Sequence, residues 1–242
     1  MNFRQVILEE GYPVISKATA QIIKEARIGL AKGDGSYAYR IAKLNGELLN
    51  PKTGEKSQFN CEKWKFMLDA PFKVSDGCCK IMKKKPFRKY ERETGRKAII
   101  GTMACESRQR YQSWLKYGCN AFEKARCSSA PLSFWSEQDI LEYIAKHALE
   151  IPSVYGDVVK TGNTIERSDG IHDELTTSKM KRTGCMFCGF GCHLKNGNQY
   201  TQLKEINPKI YSYCMKPVKD GGLGFKDVID WMDENGNLKI EY

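Results

Sequence analysis

The chain has 242 residues, 41% of them hydrophobic and 28% charged, the balance of a folded globular protein, which excludes wholesale disorder. A net charge of +10 directs attention to anionic partners: nucleotide phosphate, sulfate or a nucleic-acid backbone. No run approaches the roughly 20 apolar residues of a membrane span, and MNFRQVILEEGYPVISK lacks the basic start and apolar stretch of a secretory leader, so a reducing cytoplasm is the expected setting.

Residues 17 to 31, KATAQIIKEARIGLA, predict an amphipathic helix, with Ser16 placed to cap it, Gly33 to end it, and Ile22, Ile23, Ala26 and Leu30 at helical spacing. From Gly33 to Gln58 the chain is polar and glycine-rich without a sustained period, and reads as a loop or irregular arm. A short helix is expected over CEKWKFMLDA, before Pro71, and a basic one from about Lys84 to Glu93. In KAIIGTMA the compact run Ala98, Ile99, Ile100 ending at Gly101 predicts a buried strand.

SEQDILEYIAKHAL carries the clearest helical pattern: Ser136 as cap, acidic residues in the first turn, and one apolar face of Ile140, Leu141, Ile144, Ala145 and Ala148. Gly156 to Arg182 is polar and aperiodic, again a loop or arm. QLKEINPKIYSYCMKP predicts a helix broken at Pro208, GFKDVIDWMDENG a last helix, and NGNLKIEY a turn with a short strand or tail. Without internal repeats or a clean linker, the expectation is one mixed α/β domain over 1–242, with an α/β core over 1–155 and an arm, cysteine cluster and C-terminal helices over 156–242.

Two features carry chemistry. CCKIMKKKPF sets Cys78 and Cys79 against a run of cations that extends through Lys80, Lys83, Lys84, Lys85, Arg88, Lys89, Arg92, Arg96 and Lys97, opposed only by Glu91 and Glu93. Such a run suits an anion, or forms a solvated helix face. GCMFC then places Cys185 and Cys188 in a C-x-x-C, whose spacing lets two thiolates reach one ion, with Cys192 and His193 following. Ten cysteines in a reducing setting point to metal or redox work rather than disulfides. Zinc would take two further ligands, for which Cys78 and Cys79 are available; a redox pair would sit at a helix start; a four-iron cluster takes four thiolates at varied spacings. Inert buried cysteines are the alternative. His147 and His172 are isolated, and no serine–histidine–aspartate arrangement is apparent.

Taken together these motifs resemble the phosphoadenosine-phosphosulfate and adenosine-phosphosulfate reductase family, whose fold is an adenine nucleotide alpha-hydrolase-like parallel sheet flanked by helices. CCKIMKKKPF is similar to that family's cluster motif, with Cys78 and Cys79 on its cysteines, Lys83 on its lysine, Pro86 on its proline, Phe87 on its leucine, and Met82 where it has arginine. GTMACESRQR places Gly101, Glu106, Ser107 and Arg110 on the nucleotide block, Glu106 standing for a glutamine and Met103 for an arginine. PLSFWSEQDILEY follows with Pro131, Leu132, Trp135, Asp139 and Tyr143, then Ile151, Pro152 and Tyr155 before GCMFC. The likeness runs from about Val14 to Cys188, and looks closest to the reductase-like proteins of prophages and mobile elements.

The resemblance implies a [4Fe-4S] cluster on Cys78, Cys79, Cys185 and Cys188, with zinc as the alternative cofactor. It also implies an adenine nucleotide or sulfonucleotide bound by Lys83, Lys84, Glu106, Ser107 and Arg110. The family's Ser-Gly-Gly-x-Asp-Ser phosphate loop has no counterpart here, so the fold is expected to be N-terminally incomplete: either a shortened protein with impaired catalysis, or one that borrows the missing half from a separate chain as partner. The tail ENGNLKIEY carries no cysteine of the kind that attacks the substrate sulfur in the assimilatory enzymes, and no catalytic residue is assigned. Two other functions stay open: a partner in ATP-dependent sulfur transfer to nucleic acid, and a non-catalytic, metal-stabilised nucleic-acid-binding module.

Overall fold

The computed structural model describes residues 1–123, 126–181, 183–194 and 198–242. In chain order its elements are α1 (Phe3–Glu10), β1 (Val14–Ile15), α2 (Lys17–Lys32), α3 (Ala38–Asn45), α4 (Lys85–Thr94), β2 (Ala98–Ile99), α5 (Arg108–Tyr117), β3 (Asn120–Ala121), β4 (Ser128–Ser129), α6 (Glu137–Lys146), β5 (Val158–Arg167), β6 (Gly170–Thr177), β7 (Gly189–Phe190), α7 (Gln199–Ile206), α8 (Pro208–Met215) and α9 (Phe225–Gly236). They form two compact units, 1–86 with 184–242, and 87–183. The divisions fall after Pro86 and after Thr183.

In the first unit, local chemistry starts most helices. Asn2 and Gln5 cap α1 reciprocally, and the Ser16 hydroxyl accepts from Thr19 N at 3.1 Å to start α2. Asn207 accepts from Ile210 N at 3.1 Å and Pro208 opens α8, so the expected break between α7 and α8 lies at that proline. The buried face of α2 is Thr19, Ala20, Ile22, Ile23, Ala26 and Gly29. Leu30 departs from its expected place on that face and is 53% exposed. Gly29 takes the inner position because Ser36 O comes so close that a Cβ there would lie 2.2 Å away.

The expected loop from Gly33 to Gln58 contains α3. This helix is eight residues long, begins after Tyr37 in the left-handed region without a capping side chain, and buries only Leu44. The expected short helix over CEKWKFMLDA is a 3-10 helix, Glu62–Asp69, that buries Trp64 and Met67.

The core of this unit gathers Ile23, Leu44, Met67, Tyr200, Leu223, Phe225, Ile229 and Met232. Its rings meet edge-on or tilted, Tyr12 with Phe225 and Tyr200 with Phe225 each at 5.2 Å between centroids. Strand β1 runs through this core, wholly buried, and pairs parallel with β7 in the register Val14 to Gly189 and Ile15 to Phe190. Tyr12, just before it, forms a parallel bridge with Val74.

The second unit carries β2, β4 and β3 as a three-stranded sheet in that order, β2 parallel and β3 antiparallel to β4. The run Ala98 to Ile100 was expected to be a buried strand, but β2 is a two-residue edge strand and Ile99 is 79% exposed. The expected loop or arm over 156–182 is a two-stranded antiparallel ribbon of β5 and β6; Arg182 lies outside the described residues. Gln138 fastens α6 to the ribbon by accepting from Leu175 N at 2.8 Å and donating to Leu175 O at 2.9 Å. Arg167 on β5 pairs with Asp139 and with Glu142 of the same helix.

Gly189 is where packing is tightest against β1: a Cβ there would lie 2.8 Å from the Phe225 ring and 2.8 Å from Pro13 O. Gly189→Ala is therefore expected to destabilise the protein by about 1–3 kcal/mol, the usual range for overpacking. Urea unfolding would read this as a lowered midpoint, and an unchanged midpoint would contradict the packing described.

Candidate functional site

Backbone hydrogen bonds on both sides of one short segment bring the two cysteine pairs together. On one side Tyr12 N donates to Lys73 O at 2.8 Å and Ser75 N to Tyr12 O at 3.0 Å. The buried Ser75 hydroxyl then accepts from Gly77 N at 2.9 Å, which sets the turn into Cys78. On the other side β7 pairs with β1 immediately after Cys188, and Gly191 N donates to Ile15 O at 2.7 Å. Ile15 has φ +68°, a region that β-branched residues rarely adopt. Strain of this kind persists only where the surroundings hold it in place. Here the carbonyl is fixed by Gly191 and the Ile15 amide also faces the Cys192 sulfur.

Cys78 interacts with the sulfurs of Cys79 and Cys188, and Cys188 with those of Cys185 and Cys79. Cys78 is buried, Cys79 and Cys188 half-buried, and Cys185 exposed. Burial pushes the Cys78 thiol up to about 12, with the charges of Cys79 and Cys188 adding to it. Burial also raises Cys188, while a hydrogen bond from the Phe190 backbone works against the rise. Cys192 and Cys214, fully buried beside them, are lifted by burial to about 11 and about 12. Among the described residues no three His, Cys, Asp or Glu side chains are drawn round one point as ligands of a single ion.

Cys78, Cys79, Cys185 and Cys188 are the residues that could hold a thiolate-bound metal group, and backbone N–H groups are directed at the sulfurs of Cys188 and Cys192. Tyr200, which no sequence motif singles out, adds a wall: its hydroxyl is buried without a hydrogen-bond partner among the described residues, and thiol charges reach it. Its place follows from long-range packing.

Lys83 and Lys84 lie on a wide π-type turn, Lys80–Lys84, that follows Cys79 at once and runs into α4. Neither is buried, and no residue of α4 is buried either. Turns of this kind often mark functional positions in helices. Of the two acids in the helix, Glu91 is held by Arg126 at 2.5 Å and lowered by it, and Glu93 lies 3.7 Å from Lys89.

Glu106, Ser107 and Arg110 belong to the second unit. The Ser107 hydroxyl starts α5 by accepting from Arg110 N at 3.3 Å. Glu106 accepts from Met103 N at 2.8 Å and pairs with the Arg110 guanidinium. Glu106 also lines a cavity of about 780 Å³ with Met103, Ile140, Ile144, Ile151, Tyr155 and Lys181 among its walls. Ser107 and Arg110 are not among the lining residues. The apolar face of α6, of which only Leu141 is buried, turns Ile140 and Ile144 to this cavity.

Both units are thus α/β in composition, one with a thiol-lined site and the other with a cavity of a size that holds small ligands. The profile of the phosphoadenosine phosphosulfate reductase domain matches residues 36–189, more than half of the chain. The chain belongs to that family, and its fold is of the adenine nucleotide alpha-hydrolase-like α/β type. All four cysteines of the candidate site fall within the match, whereas Cys192, Tyr200 and Cys214 lie beyond it. No curated protein and no solved structure matches the chain. No helix among the described residues is long and apolar enough to cross a membrane.

The raised thiols give a pH dependence of defined sign. In the metal-free protein Cys78 and Cys214 move from an ordinary value of 9.0 to about 12, Cys192 to about 11, and Tyr12 from 10.0 to about 12. The folded state then binds these protons more tightly than the unfolded chain. The stability so gained is complete below pH 9 and is lost as pH rises towards 12. Thermal melts of reduced, metal-free protein are expected to show the midpoint falling across that window, and a flat midpoint would contradict the burial of these groups.

Proposed function

We propose that the protein is a sulfonucleotide-reductase-like oxidoreductase that holds a [4Fe-4S] cluster on Cys78, Cys79, Cys185 and Cys188 and an adenine nucleotide or sulfonucleotide in its second unit. The observation that carries this reading is the meeting of the two cysteine pairs within the span that matches the family. Such a cluster is held by four thiolates, and when bound it supplies one-electron redox chemistry. The protein's part is to give up the thiol protons, since each raised thiol must ionise before it can ligate. Phe190 N–H, directed at the Cys188 sulfur, favours the ionised form.

Lys83 and Lys84 supply positive charge next to Cys79, where the group and its four thiolates are net negative. In the second unit Ile140, Ile144, Ile151 and Tyr155 offer an apolar wall suited to a purine ring, and Lys181 a cation for an anionic ester. Glu106 lines the same cavity. Ser107 and Arg110 act behind it, by starting α5 and by holding the Glu106 carboxylate.

Anaerobic purification tests this directly. The expected product is brown, absorbs near about 400 nm and carries about four irons per chain, with the chromophore lost on changing any of the four cysteines to alanine. The same preparation is expected to bind adenosine 5′-phosphosulfate in calorimetry. Colourless protein with one zinc would contradict the cluster, and the absence of nucleotide heat would contradict the cavity's role.

A further inference from the structure

Tyr200 is fully buried at the thiol site, and its hydroxyl finds no hydrogen-bond partner among the described residues. Its backbone is fixed: Asn198 caps α7 by accepting from Tyr200 N at 2.9 Å, and the ring packs against Phe225 at 5.2 Å. Next to it, Gln199 donates to Cys185 O, tying the start of α7 to the C-x-x-C loop. The phenol is pushed well above its ordinary value by burial, and the charges of Cys214, Cys192, Cys188 and Cys185 reach it in that order of strength. Buried hydroxyls are rarely left unpaired, and an exception calls for a partner beyond the described residues. An acceptor of the right kind is electron-rich sulfur, and the largest side-chain charges that reach this hydroxyl are those of cysteines.

We infer that Tyr200 is a positioning residue whose hydroxyl donates a hydrogen bond to a sulfur atom of the metal group held by Cys78, Cys79, Cys185 and Cys188. This rests on the reading that those thiols hold such a group. In the metal-free protein the hydroxyl has no partner among the described residues, and in the loaded protein it is satisfied. One-electron reduction adds negative charge at the sulfurs, so a donor there favours the reduced state and raises the potential.

Tyr200→Phe removes the oxygen and keeps the ring. In the loaded protein it is expected to shift the reduction equilibrium about tenfold towards the oxidised state, a fall of about 59 mV in midpoint potential for one electron. In the metal-free protein the same change is expected to leave the melting temperature unchanged or raise it, because no hydrogen bond is lost. A merely structural role would move stability in both forms and leave the potential alone.

Iron-loaded Tyr200→Phe with an unaltered potential would overturn the inference while leaving the cluster reading intact. Wild-type protein without iron would overturn both. Should the variant keep the metal-free melting temperature yet fail to retain iron, the hydroxyl is needed to hold the group and the inference is supported. Loss of metal-free stability would make Tyr200 a packing residue and overturn it.

Discussion

Tyr12 to Ile15 form hydrogen bonds through the backbone on both flanks, to residues 73–75 on one side and 189–191 on the other. Each bond contributes only about 1 kcal/mol net, yet together they decide the geometry of the site. Cys78 and Cys79 lie just beyond one flanking segment, and Cys185 and Cys188 just before the other. Because Tyr12 to Ile15 are buried, their hydrogen bonds cannot be exchanged for water without cost. The glycine at 189 and the left-handed backbone of Ile15 are the local terms on which the two segments approach so closely.

The same burial sets the chemistry. Burial raises the Cys78 and Cys188 thiols, so ligation by these two requires an ionisation that the apolar core opposes. The cations answer this from outside: Cys78 is buried, whereas Lys83 and Lys84 on the following turn remain in solvent. Cysteines and lysines adjacent in CCKIMKKKPF therefore occupy different dielectric settings within a few residues. The oxidisable pair is inside, and the charge that favours an anion is at the rim.

Much of this was legible from local chemistry. Ser16 and Ser136 announce the starts of α2 and α6, and Pro208 divides α7 from α8, because capping and the missing proline amide act within one turn. What escaped depends on surroundings. Helix α3 is short, begins without a capping side chain and ends at Gly46, so nothing in its own residues outweighs the turn signals around it. The ribbon of β5 and β6 exposes most positions of β5 on both faces and so has no apolar alternation, although Val158, Val159, Thr161, Thr164 and Ile165 are strand-formers. Ile99 reads as a core residue but sits on an edge strand. At the site, the C-x-x-C and the adjacent cysteines are visible as motifs, whereas Tyr200 acquires its place only when α7 folds against Phe225.

The central claim is that Cys78 and Cys79 lie beside Cys185 and Cys188 in the folded chain, whatever they bind. Mild oxidation of the metal-free protein with diamide, followed by peptide mass spectrometry, measures this directly. Disulfide-linked peptides joining the 78–79 segment to the 185–188 segment are the predicted result. Closure of Cys185 onto Cys188 alone, with Cys78 and Cys79 still free, would contradict it.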